Sequence, residues 1–419
     1  MKYKGFVAFF IVVALCCGCA PKHKPATTVI TVAVPQWYAP EKVSALGQAV
    51  RDWNTARPAT IVSIKILAGK REALLQKILL AAQRGELADA VLVRNEWLGR
   101  LAADGLIDPL PASTAATVRQ SALPSLLPAI ADEQNVWAVP FDADALVIWL
   151  RHDLANQRDP GWSSRPWTAE HFATLSKALT DRSNPQAVRY GFAFPGARAL
   201  NTAVTFLAWY LGRGGRLVDE QGRLTLDVAV ASAALEWLLD LVKSGAAPNT
   251  TASLEQNDVF RGLAGGAYAM TLGGSWERSM LARQSQLGGQ IAAFPIPAVG
   301  DRPSTTVLGG WSFVLLKKHR AETAEFLASA FSPPVQENKL IQDGLLPTHV
   351  VILSNRWFET NPDGRTLSAA LTTGRALPLQ TGLAAYLDRI STMVAAVFLG
   401  AETPQIAADR AAHDIRDFQ

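Results

Sequence analysis

Two aspartates one residue apart, Asp142 and Asp144, form the pairing that most suggests catalysis, because glycoside hydrolysis uses two carboxyl groups held at a set separation. Spacing along the chain does not set that separation, so the pair alone names no reaction. Other catalytic patterns fail on identifiable residues. The run "GGSWE" misses the G-x-S-x-G nucleophile elbow because Glu277 stands where the last glycine belongs. "GRGGR" (212–216) is neither a P-loop nor a G-x-G-x-x-G fingerprint, and it follows a helical pattern instead of a strand. The six histidines are scattered, with no HExxH. All three cysteines, Cys16, Cys17 and Cys19, fall within four residues, and no later Cys or paired His completes a zinc tetrad. Neither an enzyme, a metal site nor a cofactor is expected.

The cysteines belong to an export signal. Lys2 and Lys4 precede an uncharged run from Gly5 to Leu15, which is the layout of a signal peptide. That run falls short of the roughly 20 apolar residues a membrane-spanning helix needs. Gly18 before Cys19 resembles a bacterial lipobox, departing from it at Cys16, where leucine is usual. Residues 1–18 are therefore expected to be removed and Cys19 to carry lipid, with 19–28 as a tether. The product is an exported lipoprotein on the extracytoplasmic face of a membrane (periplasm or cell surface). The net charge of +4 falls to +2 once Lys2 and Lys4 leave, too little to argue for nucleic acid or an anionic surface.

The elements that would position a site alternate from residue 29. Val29–Val34 reads as a strand, and Glu41–Thr55 as a helix with Val43, Leu46, Val50 and Trp53 at helical spacing. Ala59–Leu67 is strand-like, Arg71–Arg84 helical, and Asp89–Val93 a third strand followed by a helix over Glu96–Ala103. This alternation predicts an α/β domain on a parallel sheet covered on both faces. Ligands of such sheets lie beyond the carboxyl ends of the strands, so the loops Pro35–Tyr38 and Arg94–Trp97 are the ones to watch. Further helices are predicted after Thr168, over Asn201–Leu211, over Val228–Val242 with Asp227 as cap, along the Leu383–Val397 stripe and after Thr403–Pro404. At 49% hydrophobic, 419 residues suffice for two packed domains.

Six blocks carry a resemblance. "ADAVLVRNEWLGRLAADGLIDPL" (88–110), "VWAVPFDADALVIWLRHDL" (136–154), "YGFAFPGAR" (190–198), "GGAYAMTLGGSWERSM" (265–280), "IAAFPIPAVG" with "VLGGWSFVLLKKHRAETAEFLASAFSPPVQ", and "GLLPTH" (344–349) occur in the order found in family 1 extracellular solute-binding proteins. The chain resembles that family over its whole mature length, and particularly its maltose- and trehalose-binding members. The resemblance implies a two-lobe α/β fold of the periplasmic-binding-protein type with a three-segment hinge near 139–141, 294–298 and 346–349. One lobe would comprise 29–139 with 298–346, the other 140–297 with 347–419. It also implies a monomer that closes on a saccharide and hands it to the transmembrane permease subunits of an ABC importer and their ATPase.

Sugars present hydroxyl rims and C–H faces, so their sites combine fixed polar side chains with flat apolar rings. The resemblance places Trp37, with Gln36 beside it, in the first loop and Glu96 in the loop after the third strand, flanked by Arg94 and Trp97. It places Asp144 past the first hinge segment, with Asp142 as its competitor, and Arg198 in the "GAR" stretch. Trp276 would stack on the sugar, and Gly310 and Trp311 would face the cleft. Each has a structural alternative, such as helix-terminal charge for Glu96, a surface ion pair for Arg198 and packing for the tryptophans. The family's late aromatic pair has no counterpart in "TGLAAYLDR", where Ala384 and Ala385 precede Tyr386, which favours a small or different glycan. A glycerol-phosphate or glycerophosphodiester ligand, or a sensor role, is the alternative. For the anchor, the expected mass spectrum of the exported protein begins at an acylated Cys19; a mature chain starting at Ala20 or retaining Met1 removes the lipid.

Overall fold

The computed structural model describes residues 27–417 apart from 87, 185, 284–286 and 288, and the side chains of 71 and 72 are likewise not described; the 1–18 signal, Cys19 and the tether up to 26 lie outside this range. Among the described residues ten strands form the framework: β1 Thr28–Pro35, β2 Thr60–Leu67, β3 Ala90–Arg94, β4 Ile107–Asp108, β5 Val139–Arg151, β6 Tyr190–Ala193, β7 Tyr268–Gly274, β8 Ile291–Phe294, β9 Val307–Leu316 and β10 Arg375–Ala376. Their order is β2-β1-β3-β9-β5-β7-β6, with β4 and β10 on β9 and β8 on β5. The first three strands are parallel, as their alternation with helices predicts. The sheet is nevertheless mixed, because β9 runs antiparallel to both β3 and β5. A strand that arrives some 200 residues later leaves no trace in the local pattern.

Strand β5 joins the two lobes. Its first half, Val139 to Ala145, is in register with β9, and Leu146 to Leu150 is in register with β7. Twelve of its 13 residues are buried. Val139, Phe141, Ala143, Ala145, Val147 and Trp149 enter one hydrophobic core, whereas Leu146, Ile148 and Leu150 enter the other. Covering on both faces explains why its second half, Ala145 to Leu150, reads as one continuous apolar run. Pro140, which has no N–H to donate, sits where the pairing with β9 is irregular, between Pro140 and Asp142.

Helix ends follow the sequence signals. The Thr168 side chain accepts from the His171 N–H, and Asp227 accepts from Val230 N–H, each satisfying an otherwise free first-turn amide. The helices Ala169–Leu179, Leu200–Gly212, Val228–Lys243, Leu383–Phe398 and Pro404–Asp417 match the expected segments within a residue or two.

A buried polar network ties β5 to the segment at 346–348. Gln336, Lys339 and Thr348 are all fully buried. Gln336 Oε1 accepts from Thr348 N–H at 2.9 Å and from the Lys339 ammonium at 3.0 Å, while its Nε2 donates to Phe141 O at 3.2 Å. Thr348 Oγ1 donates to Pro140 O at 2.8 Å, Ala143 N–H donates to Leu346 O, and Lys339 also donates to Phe141 O. Burial pulls the Lys339 ammonium down to about 7, against the attraction of Asp142. Gln336→Leu leaves a buried N–H and a buried ammonium without their shared acceptor. It is expected to cost about 2–4 kcal/mol, read as a lowered urea midpoint, and an unchanged midpoint would show that the network does not stabilise the fold.

Candidate functional site

Register brings the polar residues together. Arg94, the last residue of β3, lies opposite Trp311 of β9, and Trp311 lies opposite Asp142 of β5. Asp144 pairs with Gly309 further along the same two strands. The short turn Asn95–Trp97 after β3 returns Glu96 to Arg94. Arg94 Nη2 donates to Glu96 Oε1 at 2.6 Å and its Nε donates to Oε2 at 3.0 Å, a forked, charge-assisted pair. Arg94 Nη1 stands 3.7 Å from Asp144 Oδ2. All three side chains are buried. Burial opposes the charged guanidinium, yet Glu96, with Asp144 and Tyr38, holds it above its ordinary pKa. One cation against two carboxyl groups leaves a formal excess of one negative charge.

Asp142 has a different task. Its Oδ1 accepts Trp311 N–H at 2.9 Å and its Oδ2 accepts from the Tyr38 hydroxyl, while burial pushes its carboxyl up. It fixes the strands, and Asp144 faces the space between the lobes.

That space has two parts. A narrow cavity of about 20 Å³, room for little more than a water molecule, is lined by Arg94, Glu96 and Asp144 on one side and by Asn201, Thr205, Gln256 and Trp276 on the other. A wider groove of about 470 Å³ shares Glu96 and continues along Trp97, Arg198, Ala384, Leu387 and Asp388. Its size falls within the usual range for small-molecule sites. The second wall comes from three elements: the helix Leu200–Gly212, the first residue of the helix Gln256–Ala264, and Trp276 just after β7. Thr205 Oγ1 is buried and has no hydrogen-bond partner among the described residues.

The sequence-derived candidates therefore separate. Arg94, Glu96, Asp144 and Trp276 converge on one cavity. Arg198 lines the wider groove, where its guanidinium grips both oxygens of Asp388 at 2.8 and 2.9 Å. Trp311 is 3% exposed and forms a floor beneath the cluster, with the Arg94 guanidinium 5.6 Å from its ring centroid. Trp37, Tyr38 and Trp97 pack against that ring at 5.7, 5.4 and 5.8 Å. Trp37 lines neither space. Gly309 lines the narrow cavity, while Gly310, at φ +143°, has a conformational duty: a Cβ there would strike Asp142 O. Tyr386 is fully buried and donates to Thr225 O, leaving Ala384 at the groove. Sequence reasoning missed Asn201, Thr205 and Gln256. The first two were detectable as polar residues one turn apart on a largely apolar helix.

The sequence model of the family described as bacterial extracellular solute-binding protein matches residues 41–337. The chain belongs to that family. It is 26% identical over 369 residues to a probable ABC transporter-binding protein of Deinococcus radiodurans, covering 84% of this chain and 83% of the relative. It is 24% identical over 412 residues to a lipoprotein encoded in the oleD 5′ region of Streptomyces antibioticus, covering 94% and 87%. Among solved structures it is similar to maltose-bound MalE3 of T. maritima (TM-score 0.78, 20% identity, 94% of this chain and 100% of that one). It is also similar to the GacH receptor of Streptomyces glaucescens, solved unliganded and with acarbose (TM-score 0.79, 20% identity, 93% and 98%). The two-lobe, maltose-binding-protein-like fold of this solute-binding protein is thus established. Among its described residues no helix is long and apolar enough to cross a membrane, and no group of three or more His, Cys, Asp or Glu is placed to hold a metal.

Arg94→Met would leave Glu96 and Asp144 buried without their cation. The expected loss is about 3–5 kcal/mol, seen as a lower unfolding midpoint at neutral pH. A variant as stable as the parent would show that the carboxyl groups do not need Arg94.

Proposed function

We propose that this solute-binding protein is the substrate-binding component of an ABC importer and captures a small neutral saccharide, a di- or oligosaccharide of α-glucoside type. The observation that carries this reading is the buried Arg94–Glu96–Asp144 cluster facing the half-buried Trp276 across one cavity. Carboxyl oxygens held in place by Arg94 accept hydroxyl hydrogen bonds without having to reorganise, and the indole offers a flat apolar face to a sugar ring. Asn201, Thr205 and Gln256 add neutral partners from the opposite wall. The similarity to a maltose-bound and an acarbose-bound protein points the same way. Asp144, Glu96 and Trp276 are the contacts proposed for the sugar, Arg198 a contact at the rim, and Trp37, Gly310 and Trp311 the support beneath.

A phosphate ligand fits less well. Arg94 is already engaged by two carboxyl groups and Arg198 by Asp388, so neither guanidinium has a free fork for an anion. Delivery to permease subunits and their ATPase follows from the family role, and anchorage through Cys19 from the sequence. The family also suggests a monomer of two lobes, 29–139 with 298–346 and 140–297 with 347–419.

Thermal shift separates the ligand classes, because a compound bound only by the folded protein raises its melting temperature. Maltose, trehalose or maltotriose at a hundred times its dissociation constant is expected to raise it by about 4 °C or more. Glycerol 3-phosphate and glycerophosphocholine are expected to leave it unchanged. A shift with the phosphodiester and none with any sugar overturns the reading.

A further inference from the structure

The residue after Trp276 is a buried acid without a cation. Glu277, the first residue of the helix Glu277–Arg283, is 1% exposed. Its Oε1 accepts from Gln256 Nε2 at 2.6 Å. Its Oε2 has no hydrogen-bond partner, and no lysine, arginine or histidine forms an ion pair with it, among the described residues. Space for the carboxyl is provided by a missing side chain: a Cβ on Gly273 would strike Oε2 and crowd the Trp149 ring. The carboxyl is thus seated between β7 and the helix Gln256–Ala264, directly behind the cleft wall.

Gln256 is the only described partner of that carboxyl by side-chain hydrogen bond, and it lines the narrow cavity while itself 6% exposed. With Nε2 turned to Glu277, the amide oxygen remains for the cavity. On the facing wall stand the carboxyl oxygens of Glu96 and Asp144. A ligand hydroxyl reaching into it meets acceptors from both walls, a pattern suited to a molecule rich in donating hydroxyls.

We propose that Glu277 is a positioning residue for the cleft: its carboxyl holds the Gln256 amide by Nε2, so that Gln256 Oε1 accepts a hydroxyl of the bound saccharide. The proposal rests on the saccharide reading above. A buried acid that holds an amide in this way serves best when uncharged, since an unpaired carboxylate in the interior is strongly penalised. Burial pushes the Glu277 carboxyl up to about 8, against the Gln256 side chain and the Gly274 backbone, which favour the anion. At neutral pH the group therefore keeps its proton, with the carbonyl oxygen toward Gln256.

Three variants test the assignment with maltose as probe, its dissociation constant measured by tryptophan fluorescence at pH 7. Gln256→Leu removes the acceptor, Glu277→Leu removes its support, and Glu277→Gln keeps a carbonyl for Nε2 but cannot ionise. The two leucine variants are each expected to weaken binding about tenfold, the loss of one hydrogen bond, and Glu277→Gln to stay within about threefold of the parent. The double leucine variant is expected to bind no worse than either single one, because both break the same link. A second reading needs no ligand. The unfolded chain loses the Glu277 proton in the ordinary carboxyl range and the folded chain only near pH 8, so stability is lost as pH rises through that window and levels off above it. The melting temperature of Glu277→Gln relative to the parent should therefore climb between pH 5 and 8. A constant difference overturns the protonated carboxyl. Maltose binding by Glu277→Leu at parental strength, with only a lower melting temperature, reduces Glu277 to packing and overturns the proposal alone. If the parent binds neither maltose, trehalose nor maltotriose, the saccharide reading falls and takes this proposal with it.

Discussion

A single buried guanidinium organises the cleft. Arg94 is held by Glu96 from its own strand end and faced by Asp144 from β5, so it links two strands that are not themselves neighbours. The strand between them, β9, passes Gly309 beside both side chains and sets Trp311 as a floor under the guanidinium. Taking three charged groups out of water is costly, and the cost is tolerable only if their geometry is fixed by the surrounding sheet. The twisted register of β3, β9 and β5 provides that geometry. A slip by one residue in β3 or β5 would turn Arg94 or Asp144 to the opposite face and part this pair.

Much of the framework was readable because its signals are local. Thr168 and Asp227 cap helices in the way their positions before apolar stripes suggest, and the three opening strands lie parallel as their helical connections require. What escaped depends on partners distant in sequence. Nothing near residue 307 says that this strand enters antiparallel between β3 and β5. "GGW" lies within β9, and only the pairing with Asp142 and Asp144 decides that Gly309 meets the cavity, Gly310 takes the positive φ and Trp311 goes underneath. Arg198 lines the wider groove, but its engagement with Asp388, 190 residues on, could not be read. Gln256 and Thr205 carry no motif; they matter because two helices happen to present them to the same space.

The start of β5 and the cleft wall thus have contrasting chemistry. Around Pro140 and Phe141 the polar groups are satisfied within the protein, through Gln336, Lys339 and Thr348. Across the cleft, Thr205 Oγ1 has no hydrogen-bond partner among the described residues, and Gln256 lines the same cavity. Closure of such a protein is favoured only by contacts that differ between open and closed arrangements; on the proposed reading Thr205 and Gln256 of the second wall would supply them together with Glu96 and Asp144 of the first.

Strand β5 has a consequence for how the protein comes apart. Because alternate residues of this one segment are planted in two cores, neither lobe can lose its packing without withdrawing a central element from the other. The shared strand couples the packing of the two cores, so loss of one is expected to carry the other with it.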